Sequence, residues 1–490
     1  MRMKKQLKYI ICLATGTSLF FSSCKRELLT PVPQTSITDA TAFDTPDRIL
    51  NQVRALYSAT KNGNYYGGRY IVYGDIRGED FLNETSNLVT GSDVWTLNAA
   101  GTSQNSIKNL WSQAYYTINL CNLFIDGMAA KGTTVVGTPV AVNYLGEAKF
   151  LRALAYYSLL QYYARPYADG NGSKPGLPLR LTGIKGSGFS DLARSPVADV
   201  YTQVIADLDF AEANLPLTYT TAVLNTTRAH RNAAIALKTR VYLSMQKYAN
   251  VITEGNKIVS ATAPFTATTG VNHSLQADIT QVFKTYTTTE SIFSSPMSTT
   301  SGDNPGTQNQ LGYYFYMNGS TPGSAEYSLN PAGIIANAGW TATDKRRTAF
   351  VFTNATTGKK YLAKYTSPSP YTDYAPVIRY AEVMLNLAEA LARTGTGVDA
   401  RAVALLNAVR QRSDPATTLA PATQAALIDA ILTERRIEFL GEGLRNNDLM
   451  RLLQTIPAKG SAPLKNPADQ GYIWPISSDE LSLNHLMTDN

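Results

Sequence analysis

Residues 379–412 read RYAEVMLNLAEALARTGTGVDARAVALLNAVRQR. Tyr380-Ala381 and Leu387-Ala388-Glu389-Ala390 belong to one helix, Thr394 to Gly397 form a glycine-rich turn, and Ala402 to Val409 belong to a second helix. Small residues at the contact positions allow two such helices to lie against each other. A pair of this kind buries its apolar faces only by stacking on neighbours, so one copy predicts others.

Thirty-four residues of helix, turn and helix is the length of a tetratricopeptide unit. Ala233 to Val259, with Ala236, Arg240, Tyr242, Leu243 and Tyr248, has the same helix-turn-helix outline. Further upstream, Thr45-Pro46 is an N-cap followed by proline at the first helical position, and Ile49, Leu50, Val53, Leu56 and Tyr57 recur at three- and four-residue steps. Apolar stripes of the same period predict helices over about 103–130, 140–163, 195–215 and 227–247. The expected fold class is therefore mainly α, a scaffold of tetratricopeptide-like helix pairs.

The scaffold is interrupted. From Ala261 to Thr343 only Asp278, Lys284, Glu290, Asp303 and Glu326 are charged, five residues in 83. Thr, Ser, Gly, Asn and Tyr dominate, and Phe265, Phe283, Tyr286, Phe293, Tyr313, Tyr314, Phe315, Tyr316 and Trp340 are too many aromatics for a disordered segment. Connections longer than about 12 to 15 residues in a compact protein usually carry function. This stretch is expected to be a loop-rich excursion mounted on the helices.

The amino terminus has four cations and no acid in residues 1–8, an apolar run from Tyr9 to Phe21, and then Phe21-Ser22-Ser23-Cys24. A run of 13 residues is short of the roughly 20 that cross a bilayer as a helix. It reads as a secretory signal over residues 1–23, ending at a lipobox-like site where Cys24 becomes the acylated first residue. Residues 24–45, with Pro31 and Pro33, read as an extended tether. Cys12 leaves with the signal, and Cys121 on a helical apolar stripe reads as a small buried hydrophobe, so no disulfide framework is expected.

The 490 residues carry 44 Lys+Arg against 37 Asp+Glu, with 44% hydrophobic and 17% charged residues. That composition excludes disorder, a fibrous protein and a polytopic membrane protein. Loss of Arg2, Lys4, Lys5 and Lys8 with the signal leaves +3, which makes no case for nucleic acid. The chain has no His-Glu-x-x-His, Gly-x-Ser-x-Gly, phosphate-binding glycine loop or Cys-x-x-Cys. Its histidines, His230, His273 and His485, have no cysteine or carboxylate cluster beside them, so neither metal nor cofactor is expected. Asp75, Glu79 and Asp80 are the best carboxylates for a glycosidase, though a solvated or ion-paired loop is the simpler reading. The densest charge cluster, Glu434-Arg435-Arg436 through Glu442 and Arg445 to Arg451, has acids and bases three and four apart and reads as a network that fixes the scaffold.

Taken together, these segments resemble the SusD/RagB family of Bacteroidetes outer-membrane lipoproteins. The likeness rests on Cys24; Trp111 with Tyr115, Asn119 and Cys121-Asn122; Gly146-Glu147-Ala148-Lys149-Phe150-Leu151-Arg152-Ala153 followed by Tyr156-Tyr157; and Gly176-Leu177-Pro178-Leu179. It continues through Arg194-Ser195-Pro196-Val197 with Val200-Tyr201, Leu405-Leu406-Asn407 with Val409-Arg410 and Arg412, Glu434-Arg435-Arg436 to Arg451, and Trp474-Pro475-Ile476.

The resemblance implies one SusD-like domain over 46–490, with scaffold at about 46–260 and 375–455 and the loop-rich insertion at about 261–374. It implies a non-enzymatic, lipid-anchored protein on the extracellular face of the outer membrane. Such a protein captures a glycan and delivers it to a SusC-like TonB-dependent transporter. A peptide-binding RagB-like member and, less favoured, a lipid-anchored glycosidase stay open as alternatives.

A sugar site needs flat apolar surfaces for C–H faces and a few fixed polar groups for hydroxyls. The candidate ligand-binding residues are Asp75, Arg77, Trp95 and Asn98 from the early loop and Tyr313, Tyr314, Tyr316 and Trp340 from the excursion. Trp95 and Trp340 are the expected stacking platforms, and Asp75 and Arg77 the expected hydroxyl partners.

Overall fold

The computed structural model describes residues 41–490 apart from 187, 301 and 318–324. The expected signal, the lipidation residue Cys24 and the tether up to residue 40 lie outside the described residues.

Helix α1 spans Pro46–Thr60; the Thr45 hydroxyl accepts the Arg48 N–H at 3.3 Å, and Ile49, Val53 and Leu56 are buried. The sequence reading has only a loop before the next long helix, but the chain forms α2 at Arg69–Ile76. All eight of its residues are buried, so no polar face marks it by periodicity. A short strand, β1 (Phe81–Asn83), follows.

The long helices are α3 (Asn109–Gly127), α4 (Thr138–Tyr163), α5 (Val197–Asn214), α6 (Arg231–Ser244) and α7 (Tyr248–Ile258). A wider π turn extends α3 at each end, over Gln104–Lys108 and Met128–Gly132. The expected 227–247 helix begins only at Arg231. Before it, Arg228 Nε turns back to Glu147 Oε2 at 2.8 Å, and the Ala229 N–H donates to Tyr57 Oη at 2.8 Å.

Strands β2 (Ser291–Ser295), β3 (Tyr327–Leu329), β4 (Val351–Thr353), β5 (Lys360–Leu362) and β6 (Ala375–Arg379) lie in the excursion and at its return. They form three two-stranded antiparallel pairs, β1 with β3, β2 with β6 and β4 with β5. Helices α8 (Tyr380–Thr394), α9 (Ala400–Ser413), α10 (Gln424–Glu438) and α11 (Arg445–Arg451) complete the scaffold.

Each long helix packs on its successor from α3 to α9, and α10 packs on α8. The fold is mainly α, with the helix pairs stacked as the 34-residue pattern predicts. Polar contacts fix individual pairs: Arg152 on α4 donates from Nε to Asp207 Oδ2 and from Nη2 to Asp207 Oδ1 of α5, both at 2.7 Å. Helix α7 lies directly against α8, so the 121 residues between Ile258 and Tyr380 leave the stack and return to the same place. At that base Ser291 of β2 pairs with Arg379 of β6.

The carboxyl-terminal charge cluster is buried, and most of its pairs join distant segments rather than turns of one helix. Arg346 Nη1 donates to Glu434 Oε1 at 2.6 Å and Glu438 Oε2 at 2.8 Å, and Arg379 Nε donates to Glu442 Oε2 at 2.6 Å. Arg412 Nη1 reaches Glu290 Oε2 at 2.8 Å. Burying such charges costs desolvation, so the pairs add little net stability, but removing one partner leaves its mate stranded. The network therefore fixes where the excursion sits on α9 and α10.

Candidate functional site

Asp80 begins the site. Its carboxylate accepts Arg436 Nε at 2.8 Å and Nη2 at 2.5 Å from α10, while Oδ1 also accepts the Ile334 N–H at 2.6 Å. Arg445 holds Glu79 in the same two-point manner, at 3.0 and 2.6 Å. These two acids are thus fasteners between the early loop and the carboxyl-terminal helices. They hold β1 against β3, with Phe81 opposite Leu329 and Asn83 opposite Tyr327.

Beside this pair runs a half-open groove of about 690 Å³, lined by Leu82, Asn83, Glu84, Trp95, Ser328, Leu329, Pro331, Ile335, Arg347, Lys359, Lys360, Gly460 and Ser461 among others. A second concavity of about 390 Å³ shares Asn83, Trp95 and Ser461 with it and adds Leu88, Asp93, Asn98 and Ser103. Four stretches far apart in the chain therefore meet around one tryptophan.

Trp95 is held rather than free. Its Nε1–H donates to the Phe81 carbonyl at 2.8 Å, and the ring is only 6% exposed. Gly460, at φ +50°, lies so close that a Cβ there would stand 3.1 Å from Trp95 Cη2. The buried Lys459 ammonium lies 5.8 Å from the ring centroid and donates to the Ile76 and Gly78 carbonyls. Asn83 lines both concavities: Oδ1 accepts the Ser86 N–H at 2.6 Å, and Nδ2 is buried on the side of its strand partner Tyr327.

The other sequence candidates fall into three groups. Asn98 is exposed and lines the second concavity beside Trp95. Tyr313 and Tyr316 are half-buried, the former receiving a bond from Gln308 Nε2 at 3.2 Å and the latter packing 6.4 Å from Phe352. Asp75, Arg77, Tyr314 and Trp340 are buried away from both concavities.

In that buried group, Asp75 Oδ2 accepts the Gly443 N–H at 2.5 Å, and burial pushes its carboxyl up to about 8. Arg77 donates to Asn446 Oδ1 at 2.8 Å and to the Tyr472 carbonyl at 2.6 Å, and burial lowers its guanidinium to about 10. Tyr314 donates to the Gln308 carbonyl at 2.9 Å, and Trp340 lies beneath the Arg347 guanidinium, 5.5 Å from its ring centroid. Burial corrects the expectation that Asp75 and Arg77 reach ligand hydroxyls and that Trp95 and Trp340 are open stacking platforms; of the two tryptophans, Trp95 borders the concavities.

Sequence reasoning passed over Asn83, Arg347, Lys359 and Lys360. The signal for the lysines was present as Asn354 to Gly358, a turn sequence followed at once by two bases. Cys121 is buried as expected, and burial pushes its thiol up to about 12. Among the described residues no group of three or more His, Cys, Asp or Glu could hold a metal ion, and no helix is long and apolar enough to cross a membrane.

Comparison with known proteins gives the same architecture a family. Residues 242–490 match the model of the SusD family, and residues 33–243 match a family described as starch-binding and associating with the outer membrane. A SusD superfamily protein from Bacteroides fragilis is 33% identical, superposes with a TM-score of 0.79, and shares 91% of this chain and 99% of its own. SusD-like protein P2 from Formosa agariphila is 25% identical, covering 91% of this chain and 93% of that protein. Surface glycan-binding protein A from Bacteroides uniformis has the same fold, with a TM-score of 0.72 at 21% identity over 91% of this chain and 99% of that one. With the first family model alone covering just over half its residues, and a 33% identical structure following it almost from end to end, the chain belongs to the SusD family.

Proposed function

We propose that this protein is a glycan-capturing lipoprotein of the outer-membrane surface, not an enzyme. Anchored through Cys24, it binds an oligosaccharide in the Trp95 groove and passes it to a SusC-like TonB-dependent transporter. One observation carries the reading. Trp95 and Asn83 form the wall common to two adjoining concavities. Apolar aromatic surface for sugar C–H groups beside polar side chains for the hydroxyls is what carbohydrate recognition requires.

Two further facts support it. The acids on the concavities are already engaged, Glu84 by Ser328 and Lys359, and Asp93 by Ser106 at 2.8 Å and the Val94 N–H at 2.9 Å. The name of the Bacteroides uniformis fold neighbour is that of a surface glycan-binding protein. Asn98 remains in the proposed ligand region, Tyr313 and Tyr316 line neither of its two concavities, and the proposed domain spans 46–490.

The test is a binding screen of purified protein against polysaccharides, oligosaccharides and peptides, with product release followed in parallel. A glycan bound without cleavage, and bound less tightly by Trp95→Ala, supports capture. Peptide binding alone, or release of reducing ends, replaces this reading with a peptide-binding member or a glycosidase.

A further inference from the structure

The groove carries more positive charge than its carboxylates balance. Arg347, Lys359 and Lys360 line it, and Glu84 is the acid on its wall. Glu84 is committed, pairing with Lys359 and accepting Ser328 Oγ. Arg347 has no carboxylate partner among the described residues, and neither has Lys360.

Arg347 is also held in position. Nη1 donates to the Trp340 carbonyl at 2.8 Å and Nη2 to the Ile335 carbonyl at 3.0 Å, with the guanidinium stacked over the Trp340 ring. Its sequence neighbour Arg346 shows the contrast, since that guanidinium is saturated by Asp344, Glu434 and Glu438. Lys360 is exposed at the start of β5. The hairpin before it is set by Asn354 Oδ1, which accepts the Thr356 N–H at 3.0 Å and the Thr357 N–H at 2.9 Å, and by Gly358 at φ +68°. Two cations, one braced by carbonyls and one at the base of a fixed turn, thus face the same cleft as Trp95.

We propose that the groove selects an anionic glycan, a chain bearing carboxylate or sulfate groups, with Arg347 and Lys360 as the charge-reading residues. The proposal rests on the glycan-capture reading and adds the ligand's charge to it. A guanidinium without a carboxylate partner matches a carboxylate or sulfate oxygen pair, and a charged cleft with low-dielectric walls concentrates such a ligand. A neutral sugar would leave both cations uncompensated and gain only the Trp95 and Asn83 contacts.

The experiment measures binding to purified full-length protein of oligogalacturonate and of the same oligosaccharide with its carboxylates reduced to alcohols. Dextran sulfate and dextran form a second pair, so the arms separate uronate from sulfate. The expected result is at least ~10-fold tighter binding of one charged form than of its neutral partner, weakening as salt rises from about 50 to about 300 mM. Lys360→Glu and Arg347→Gln should each lower that charged-to-neutral ratio by ~5-fold or more.

Lys360 is on the surface, so its variant keeps the test valid if Arg347→Gln disturbs Trp340. Equal affinity for charged and neutral forms, both reduced by Trp95→Ala, overturns the charge selection and leaves glycan capture standing. Charged binding unaffected by both substitutions places the polyanion on another surface and overturns the proposal. Failure of every glycan to bind overturns both.

Discussion

Arg436 and Asp80, 356 residues apart in sequence, are joined by two parallel hydrogen bonds of 2.8 and 2.5 Å. The Asp80 Oδ1 atom in that pair also receives the Ile334 N–H. One carboxylate therefore ties α10, β1 and the turn after β3 into the floor of the groove. The same sites could not be rigid on loops alone, because β1 and β3 are each three residues long.

Removing Arg436 should expose how much the groove depends on that tie. In Arg436→Met the Asp80 carboxylate keeps one backbone donor but loses its cation, and about 2 kcal/mol of stability is expected to go, less than for a fully buried pair because Arg436 is 22% exposed. Urea unfolding gives the stability, and glycan titration should show weaker binding at temperatures where the fold is intact. Unaltered binding would mean that β1 is positioned by the strand pair alone.

Asn83→Asp keeps the Oδ1 acceptor for Ser86 and replaces the buried Nδ2 donor with a carboxylate oxygen. Glycan affinity is expected to fall by ~5–10-fold, about 1–1.5 kcal/mol, and the melting temperature to fall with it, because a carboxylate oxygen takes a buried donor's place. Calorimetric titration beside a thermal melt separates the two quantities.

Asp75 gives a pH signature. Its carboxyl, ordinarily near 3.8, is raised to about 8 in the fold because burial disfavours the charge. The folded state thus holds this proton more tightly than the unfolded chain. The resulting stability is present in full below about pH 3.8 and is lost as the pH rises through about 8. Asp75→Asn retains a carbonyl for the Gly443 N–H and cannot ionise, so its stability should decline less than wild type between pH 5 and pH 8. Glycan affinity of this variant should stay within about twofold, since Asp75 does not line the groove.

The histidines act in the opposite sense. His230 and His273 stack with centroids 5.3 Å apart inside the protein, and burial lowers them to about 3 and about 4, with His273 adding to the depression of His230. An unfolded chain takes up these protons near 6.5, so stability is complete above that pH and falls as the pH drops toward 4. A loss of several kcal/mol is expected across that window, by up to ~1.4 kcal/mol per unit for each ring. His230→Gln should show a shallower acid limb in urea midpoints taken between pH 7 and pH 4.5. An identical slope would assign the acid sensitivity to the carboxylates.

Much of the scaffold was legible because its causes are local. Thr45-Pro46 sets a helix start within three residues, and the small-residue pattern from Arg379 to Arg412 makes a helix pair from side chains three and four apart. Helix α2 escaped that reading, since a segment buried on every side has no polar face to give it a period.

The candidate site was only partly legible for a related reason. Trp95 and Asn98 are recognisable by their chemistry, and they lie on the concavities. Asp75 and Arg77 have chemistry as suitable, but Gly443, Asn446 and Tyr472, more than 360 residues away, consume their polar atoms. Arg347 and Lys360 look ordinary in sequence, and what distinguishes them is that among the described residues no carboxylate pairs with either.

From the amino-acid sequence alone follow the paired-helix scaffold, the low-charge excursion that interrupts it and the family resemblance, because periodicity, capping and composition act over a few residues at a time. Tertiary structure alone decided which polar groups are spent inside the fold and which face the groove. That division depends on contacts between segments hundreds of residues apart, where burial demands a partner for every charge and only the groups left over are free to meet a ligand.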